Sequence, residues 1–118
     1  MPRAAPQPAR VSQRDQLGDA LCATGFAYDI QSRVDNNVPE HSTFLVRARG
    51  IRRCGSAAID LAMVADGTYD VFWEQGLSPW DMAAGALLVR EAGGMVGDFE
   101  GGETFLQSRR VVAASPTI

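Results

Sequence analysis

Apolar residues in this chain fall into short runs separated by glycines and charged residues, and the runs predict alternating strands and helices. The predicted helices span Asn37–Arg49, Ala57–Ala65 and the segment from Ser78 to the Gly93–Gly94 pair. The predicted strands span Gln16–Thr24, Ile51–Cys54, Tyr69–Trp73, Met95–Phe99 and Arg110–Ala114. Because strands and helices alternate, we expect the α/β class, as a layered α/β/α domain with a mostly parallel sheet.

Glycine, serine and proline mark the ends of these helices. Gly50 is placed to stop the first helix, and Ser56 and Gly67 to cap and end the second, which is apolar nearly all round and therefore predicted to be buried. Ser78 and Pro79 open the third helix, as a serine cap followed by proline. The apolar or small positions of that helix share one face at amphipathic spacing: Trp80, Ala83, Ala84, Leu87 and Leu88.

Composition narrows the class of protein. A chain of 118 residues with 46% apolar residues suits a single domain with its own core. The formal net charge of −3 argues against a general nucleic-acid binder, because such proteins carry a basic face. No apolar run approaches the roughly 20 residues that a membrane helix needs, so we expect a cytoplasmic protein without a membrane partner.

Several residues are interpreted as having no part in the chemistry. The first ten residues contain three prolines, two arginines and no acid, which predicts a disordered tail over 1–10, with a transit peptide as the alternative. Cys22 and Cys54 form no CxxC pair, so we expect two buried, reduced thiols and no zinc site. His41, the only histidine, is interpreted as an exposed helix residue.

A first candidate site is the turn between the strand at Ile51 and the helix at Ala57. Its sequence is Arg52-Arg53-Cys54-Gly55-Ser56-Ala57. Glycine allows a ligand to approach the backbone, and the free N–H groups and dipole of a helix N-terminus favour an anion or hydroxyl groups. Plain helix capping with two surface arginines explains the same residues, and this alternative stays open.

A second candidate site lies where the strand at Tyr69 leads into the helix at Pro79. Glu74 and Asp81 flank this turn, and such a pair of carboxylates can bind a divalent ion, hold sugar-like hydroxyls or exchange protons. The alternatives are structural. Asp81 completes an S-x-x-D capping box with Ser78, and Glu74 is a solvated residue at a strand end.

The third helix resembles the C-terminal motif of the inositol monophosphatase family, W-D-x-A-[AG]-G followed by E-A-G-G. Trp80 to Gly85 and Glu91 to Gly94 carry the motif here. The flanking segments are similar to family segments as well: Leu21–Phe26, Gly55–Ala58, Tyr69–Glu74 and Ser108–Ala114. The resemblance covers Val11 to Ile118, and the bacterial members called SuhB-like look most similar.

The resemblance implies roles for the candidate residues. Asp81 would be a carboxylate ligand of a catalytic Mg²⁺ ion, and Glu74 would accept hydrogen bonds from substrate hydroxyls. Trp80 would pack beneath the site, and small residues would let its helix approach its neighbours closely. The alcohol part of the substrate would be lined by Gly55, Ser56 and Ala57, with Arg52 or Arg53 at its rim. No catalytic residue beyond the metal ligand is implied.

The resemblance also implies that half of the family fold is absent. The family's N-terminal domain supplies most metal ligands, through a glutamate pair and a D-P-[IL]-D-G-[ST] motif, and neither occurs here. Residues 11–118 would thus be a C-terminal domain, inactive by itself, with an exposed apolar patch that favours oligomers, including a homodimer, or the missing half. Asp60, Asp66 and Asp70 are not expected to replace the lost ligands.

The implied activity is Mg²⁺-dependent hydrolysis of a polyol phosphate monoester, with inositol 1-phosphate as the default substrate. Sister activities of the superfamily act on sugar or nucleotide phosphates and form one alternative. A second alternative is a non-catalytic module that binds the transcription antitermination machinery, as SuhB-like proteins imply. A third is a remnant without function.

Overall fold

The computed structural model describes residues 9–26 and 37–118. Most of the tail predicted over 1–10 lies outside the described residues; Ala9 and Arg10 are exposed. A short 3₁₀ turn at Leu17–Asp19 precedes the first strand. The strands are β1 (Leu21–Thr24), β2 (Gly50–Arg52), β3 (Val71–Gln75), β4 (Met95–Gly97) and β5 (Arg110–Ala114). The helices are α1 (Val38–Leu45), α2 (Ala57–Ala65), α3 (Pro79–Glu91) and α4 (Phe105–Ser108).

The five strands form one sheet in the order β2-β1-β3-β5-β4. Strand β1 pairs in parallel with both β2 and β3, whereas β5 is antiparallel to its neighbours β3 and β4. Four strands therefore run in one direction and β5 runs against them. The α/β prediction is confirmed, and the reversed β5 is a departure from a purely parallel sheet.

Element boundaries are confirmed where local signals set them. Helix α2 and strand β5 have the predicted bounds, and Ser56 caps α2 with Gly67 just beyond its end, at φ +87°. Helix α1 ends earlier than predicted, at Leu45, because the Arg49 N–H already donates to the carbonyl of Ala20 beside the sheet, at 3.0 Å. The backbone therefore leaves the helical conformation and pairs beside the sheet before β2 begins at Gly50.

Other predicted boundaries were wrong by a few residues. The segment from Gln16 begins as a 3₁₀ turn, which the Ala20 N–H closes onto the Leu17 carbonyl at 3.0 Å. The strand predicted at Tyr69–Trp73 lies two residues later, and the one predicted at Met95–Phe99 is shorter. Helix α4, a single turn between the last two strands, was not predicted.

Apolar residues pack on both sides of the sheet. On one side α2, α3 and α4 cover a core that includes Leu61, Phe72, Met82, Val89 and Phe105. On the other side a smaller cluster holds Cys22, Val71 and Trp73 against Phe44 of α1 and Phe99. Alternate residues of the strands enter the two clusters, as the pleat requires. The protein is therefore layered helix, sheet, helix.

Helix α3 buries a different face from the one that the apolar spacing indicated. Its buried residues are Met82, Gly85, Ala86 and Val89. The stripe of Trp80, Ala83, Ala84, Leu87 and Leu88 is exposed. Trp80 has 80% of its surface exposed, so the expectation that it packs beneath the site was wrong in this chain. The apolar spacing indicated the wrong buried face because α3 is apolar on two faces.

Helix α2 is only partly buried, contrary to prediction. It packs against α3 through Leu61, whose side chain lies beside Gly85 so closely that a Cβ there would be 2.6 Å from Leu61 Cβ. Ile59, on the opposite side of α2, is 48% exposed. The expectation that small residues allow close helix packing is therefore confirmed for Gly85 and wrong for the exposed Ala83 and Ala84.

Two residues outside the candidate site also differ from expectation. Cys22 is buried as predicted, and burial, with a smaller contribution from the charge of Asp70, raises the pKa of its thiol to about 11. Cys54 is exposed instead of buried, because it lies in the turn after β2. His41 is partly buried on α1, with its ring centroid 5.4 Å from that of Phe26.

Candidate functional site

The carboxyl ends of three parallel strands bring the candidate residues to one edge of the sheet. The segments after β1 and β2 and the end of β3 meet there. The Arg53 guanidinium lies over the ring of Phe26, 5.3 Å from its centroid. A Cβ on Gly25 would collide with the carboxylate of Glu74, so glycine leaves the space that this side chain occupies. Ligands of α/β proteins commonly bind at such an edge.

The turn between β2 and α2 has the geometry of a helix cap, which was the structural alternative for this segment. Gly55 has a φ of +88°, a left-handed conformation that favours glycine. The Ser56 Oγ accepts a hydrogen bond from the Ile59 N–H at 3.4 Å. Arg52 and Arg53 are exposed, whereas Ala57 is buried. The ligand-binding roles of these residues stay predictions.

Asp81 lies in the first turn of α3, and its carboxylate completes the predicted cap. Its Oδ2 accepts a hydrogen bond from the Ser78 N–H at 3.0 Å. The side chain is only partly buried. The capping role is therefore confirmed, and it occupies one carboxylate oxygen. The other oxygen, Oδ1, is the one through which Asp81 could also bind a cation.

The loop that leads into α3 is fastened by Arg109. Its Nε donates to the Leu77 carbonyl at 2.8 Å, and its Nη2 donates to the Gly76 carbonyl at 3.1 Å. The Gly76 N–H returns a hydrogen bond to the Arg109 carbonyl at 2.9 Å. Because Ser78 and Asp81 follow directly, these bonds fix the position of the α3 N-terminus relative to β3 and β5.

Glu74, at the end of β3, is a titratable group of this edge with a raised pKa. Its pKa is raised to about 7, chiefly by burial and then by the charges of Asp60 and Asp81, while the charge of Arg53 acts in the opposite direction. Both carboxylates are therefore near enough to interact with Glu74 electrostatically. A carboxyl group that is partly protonated at neutral pH can donate as well as accept a hydrogen bond.

Asp60, which was predicted only not to replace the lost metal ligands, is a buried carboxyl group of this region. Its side chain on α2 is 1% exposed, and its Oδ1 has no hydrogen-bond partner among the described residues. Burial raises its pKa to about 6. The available signal was one acid within the apolar helix AAIDLAMVA. A charged residue on a helix that must bury its faces is itself a sign of a buried carboxyl group.

We expect the stability of the chain to fall as the pH rises toward 7. Glu74 and Asp60 have raised pKa values, so the folded state keeps protons that the unfolded chain has already lost. Their stabilising contribution is complete below the unfolded pKa values and is lost as the pH passes the folded ones, about 6 for Asp60 and about 7 for Glu74. Urea unfolding at about pH 5 and about pH 8 measures this difference.

Glu74→Gln and Asp60→Asn should each reduce that pH dependence, because neither amide titrates. Glu100→Gln is the control, since Glu100 is exposed on a turn and should leave the pH dependence unchanged. Equal pH dependence in the wild type and the double variant would contradict the assignment.

A buried network of hydrogen bonds joins the strands next to this edge. The Asn37 Nδ2 donates to Thr24 Oγ1 at 2.9 Å and to the Gly25 carbonyl at 3.0 Å, and its Oδ1 accepts from Trp73 Nε1 at 2.6 Å. The Thr24 hydroxyl donates to the Trp73 carbonyl at 2.6 Å. Asn37 thus joins the ends of β1 and β3 next to Gly25 and Glu74. From the sequence, Asn37 was predicted only to begin a helix.

Asn37→Leu is expected to destabilise the chain by about 3 kcal/mol, since it leaves the buried Trp73 indole N–H without an acceptor. Leucine is also strained at the Asn37 φ of +67°. Asn37→Gly removes the side chain without that strain, so it separates the two effects. Thr43→Ala on the same helix loses only an exposed bond to the Pro39 carbonyl and should cost little. Urea unfolding checks all three variants.

The described residues do not assemble a metal site by themselves. Within 9–26 and 37–118 no group of three or more Asp, Glu, His or Cys side chains is placed to hold a metal ion. Asp81 fits one position of an oxygen-ligated cation, and further ligands would have to come from elsewhere. Four cavities of this part of the chain are lined by neither Asp81 nor Glu74. None of the helices described combines the length and apolarity needed to cross a bilayer.

Carboxylates and helix N-termini meet at the carboxyl ends of parallel strands, which makes this edge of an α/β sheet a candidate ligand site. The model of the "Inositol monophosphatase family" matches residues 3–118, and the chain belongs to that family.

Similar proteins are named either as Nus factors or as inositol monophosphatases. "Nus factor SuhB" of Pseudomonas aeruginosa is 52% identical over 108 residues, which are 90% of this chain and 40% of that protein. "Inositol-1-monophosphatase" of Synechocystis sp. is 46% identical over 112 residues, or 95% of this chain and 39% of that protein. The chain therefore spans about 40% of the length of these relatives.

Solved structures show the same fold. The chain matches inositol monophosphatase from Anabaena (Nostoc) sp. with a TM-score of 0.91 and 42% identity, over 95% of this chain and 44% of that one. It matches the extragenic suppressor protein suhB from Bartonella henselae with a TM-score of 0.83 and 42% identity, over 92% of this chain and 42% of that one. The α/β fold and the resemblance to SuhB-like members are thus confirmed.

Proposed function

We propose that this chain is the C-terminal part of a Mg²⁺-dependent phosphomonoesterase, with residues 11–118 as its domain and inositol 1-phosphate as the default substrate. The observation that carries the proposal is the capped but partly exposed carboxylate of Asp81 beside the near-neutral carboxyl group of Glu74. The name of the Synechocystis relative supports the substrate. Because Asp81 is one metal ligand and a catalytic site needs several, the chain alone would be inactive.

The chain's own residues would bind and orient the substrate. The first N–H groups of α2, after Gly55 and Ser56, carry the positive end of the helix dipole, and the exposed Arg52 and Arg53 add positive charge toward an anionic ester. Glu74 would accept hydrogen bonds from the hydroxyls of the alcohol part. Binding of a cation nearby would favour its ionised form.

Asp81 would hold one Mg²⁺ ion through Oδ1 while Oδ2 keeps the cap on α3. Bound Mg²⁺ would supply Lewis-acid neutralisation of the phosphoryl charge. The remaining ligands would come from the part of the family fold that this chain does not span. Carboxylate oxygen is the donor that Mg²⁺ prefers, and Asp81 meets that requirement.

A chimera tests the proposal. It joins the segment of the Synechocystis inositol-1-monophosphatase that this chain does not match to residues 11–118 of this chain, replacing the matched part. We expect Mg²⁺-dependent phosphate release from inositol 1-phosphate that is lost on chelation with EDTA. A folded chimera that releases no phosphate from this ester, nor from sugar or nucleotide monophosphates, would contradict the phosphatase proposal.

The second candidate function is an interaction module of the transcription machinery. The observation in its favour is the 52% identity to the Nus factor SuhB of Pseudomonas aeruginosa. The test is a pull-down of RNA polymerase by the chain, beside the phosphate-release assay. Retention of polymerase by a chain whose chimera releases no phosphate would favour this function over hydrolysis.

A further inference from the structure

A cavity of about 190 Å³ lies between α1 and the sheet, on the side of the sheet opposite α2 and α3. We call it the aromatic cavity, and its lining residues are Glu40, Phe44, Val71, Trp73, Phe99 and Val112. Phe44, Phe99 and Val112 are only partly buried, so the cavity can be reached from solvent. An apolar cavity of roughly 150 Å³ already admits a benzene molecule, so this one has room for a small organic ligand.

Regular elements position the lining residues of the aromatic cavity. Glu40 and Phe44 are four residues apart on α1 and therefore share one face of that helix. Val71 and Trp73 share one face of β3, and Val112 pairs with Trp73 across to β5. The rings of Phe44 and Trp73 stack, with their centroids 4.4 Å apart. The cavity is thus held by a helix and two paired strands.

Glu40 brings a carboxylate oxygen to a cavity whose other lining side chains are apolar or aromatic. Its Oε2 is buried and has no hydrogen-bond partner among the described residues. A buried polar oxygen without a partner costs free energy, and a carboxylate oxygen costs more than a neutral one. A ligand that suits this cavity would therefore place a positive charge beside Oε2.

The aromatic rings favour the same kind of ligand. The face of an aromatic ring attracts a cation that lies within about 6 Å of its centroid. Phe99 already has such a neighbour, since the Arg110 guanidinium lies 5.8 Å from its centroid. Arg110 lines a neighbouring cavity together with Asp98, and not the aromatic cavity. The side chains of Phe44, Trp73 and Phe99 thus offer three rings to a cation inside the aromatic cavity.

Two other classes of ligand fit the lining less well. A divalent metal ion takes several oxygen ligands, and Glu40 is the one lining side chain that carries oxygen. A neutral apolar molecule would fill the space but leave Oε2 of Glu40 without a partner. A cation with an apolar surface satisfies both the carboxylate and the rings.

We propose that the aromatic cavity binds a small organic cation with a methylated ammonium group. Glu40 faces the charge, and the rings of Phe44, Trp73 and Phe99 surround the methyl groups. The proposal does not depend on the phosphatase proposal, because the cavity lies on the other side of the sheet from α2 and α3 and contains neither Asp81 nor Glu74.

Titration with choline tests the proposal. In a Trp80→Phe background Trp73 is the one remaining tryptophan, so its emission reports on the cavity. At constant ionic strength we expect a saturable change in that emission and a midpoint of urea unfolding that rises with choline concentration. The neutral carbon isostere of choline, in which a tert-butyl group replaces the trimethylammonium group, should bind at least about tenfold more weakly.

Matched variants assign the binding to the cavity. Glu40→Gln should weaken choline binding at least about tenfold and leave the weak binding of the isostere unchanged, since it removes the charge and keeps the size. Phe99→Leu should also weaken choline binding, because it removes one ring and keeps an apolar side chain. Glu100→Gln is the control: Glu100 follows Phe99 but is exposed and does not line the cavity, so choline binding should not change.

Several outcomes would overturn the proposal. They are equal affinity for choline and its isostere, wild-type affinity in Glu40→Gln, and saturable binding by neither the chain nor the chimera. Binding by the chain that is absent from the chimera would assign the cavity to the added segment instead. Choline binding by a chimera that releases no phosphate would support the cation site while contradicting the proposed function.

Discussion

Asp81→Asn is expected to reduce phosphate release by the chimera at least about a hundredfold, because the amide cannot supply the negative charge that a bound Mg²⁺ ion requires. Asparagine keeps an oxygen that can accept the Ser78 N–H, so the cap on α3 should survive. The measurement is steady-state phosphate release together with urea unfolding of the same variant.

Two comparisons make the Asp81 result specific. Glu74→Ala should mainly raise KM, since its proposed role is to bind substrate hydroxyls and not the metal. Glu100→Gln removes an exposed acid on a turn and should leave both kinetic constants unchanged. Wild-type turnover by Asp81→Asn would remove the metal-ligand assignment, whatever the other variants do.

Gly85→Ala is expected to destabilise the chain by about 1–3 kcal/mol, although alanine is the better helix former by about 1 kcal/mol. The added Cβ would lie 2.6 Å from both Cβ and Cδ1 of Leu61. One of these atoms is fixed to the backbone of α2, so rotation of the Leu61 side chain cannot relieve the contact. The two helices would have to move apart, and urea unfolding measures the cost.

The double variant Gly85→Ala with Leu61→Ala isolates that contact. Its loss of stability should be smaller than the sum of the two single losses, because truncation of Leu61 removes one of the colliding atoms. Ala83→Leu, on the exposed side of the same helix, should change stability by no more than about 0.5 kcal/mol. A stabilising Gly85→Ala would show that helix propensity outweighs the collision.

Sequence reasoning succeeded where the signals are local. Ser56 and Gly67 set the ends of α2, and the S-x-x-D pattern gave the Asp81 cap, because each depends on residues within one or two helical turns. It failed where the structure depends on contacts between residues that are far apart in the sequence. The end of α1 follows from a bond between Arg49 and Ala20, and the role of Asn37 follows from Trp73, 36 positions away.

The orientation of α3 is a different kind of failure. Its periodicity was correctly identified, but two apolar stripes were available, and the shorter side chains of one of them took the inner position. Gly85 decides this, because only a helix face without a side chain at that position can lie so close to Leu61. The described residues cover only one of the two apolar faces, and the hydrophobic pattern alone does not tell which of them packs inward.

The two outermost strands, β2 and β4, are only three residues long. Short edges offer few free backbone groups to an incoming strand, and the loop after β4 folds back, with the Asp98 N–H bonded to the Gly102 carbonyl at 3.0 Å. Growth of fibrils by strand addition is therefore disfavoured at both edges of the sheet. Any precipitate of this polypeptide should be amorphous, held by its helices, and should not bind amyloid dyes.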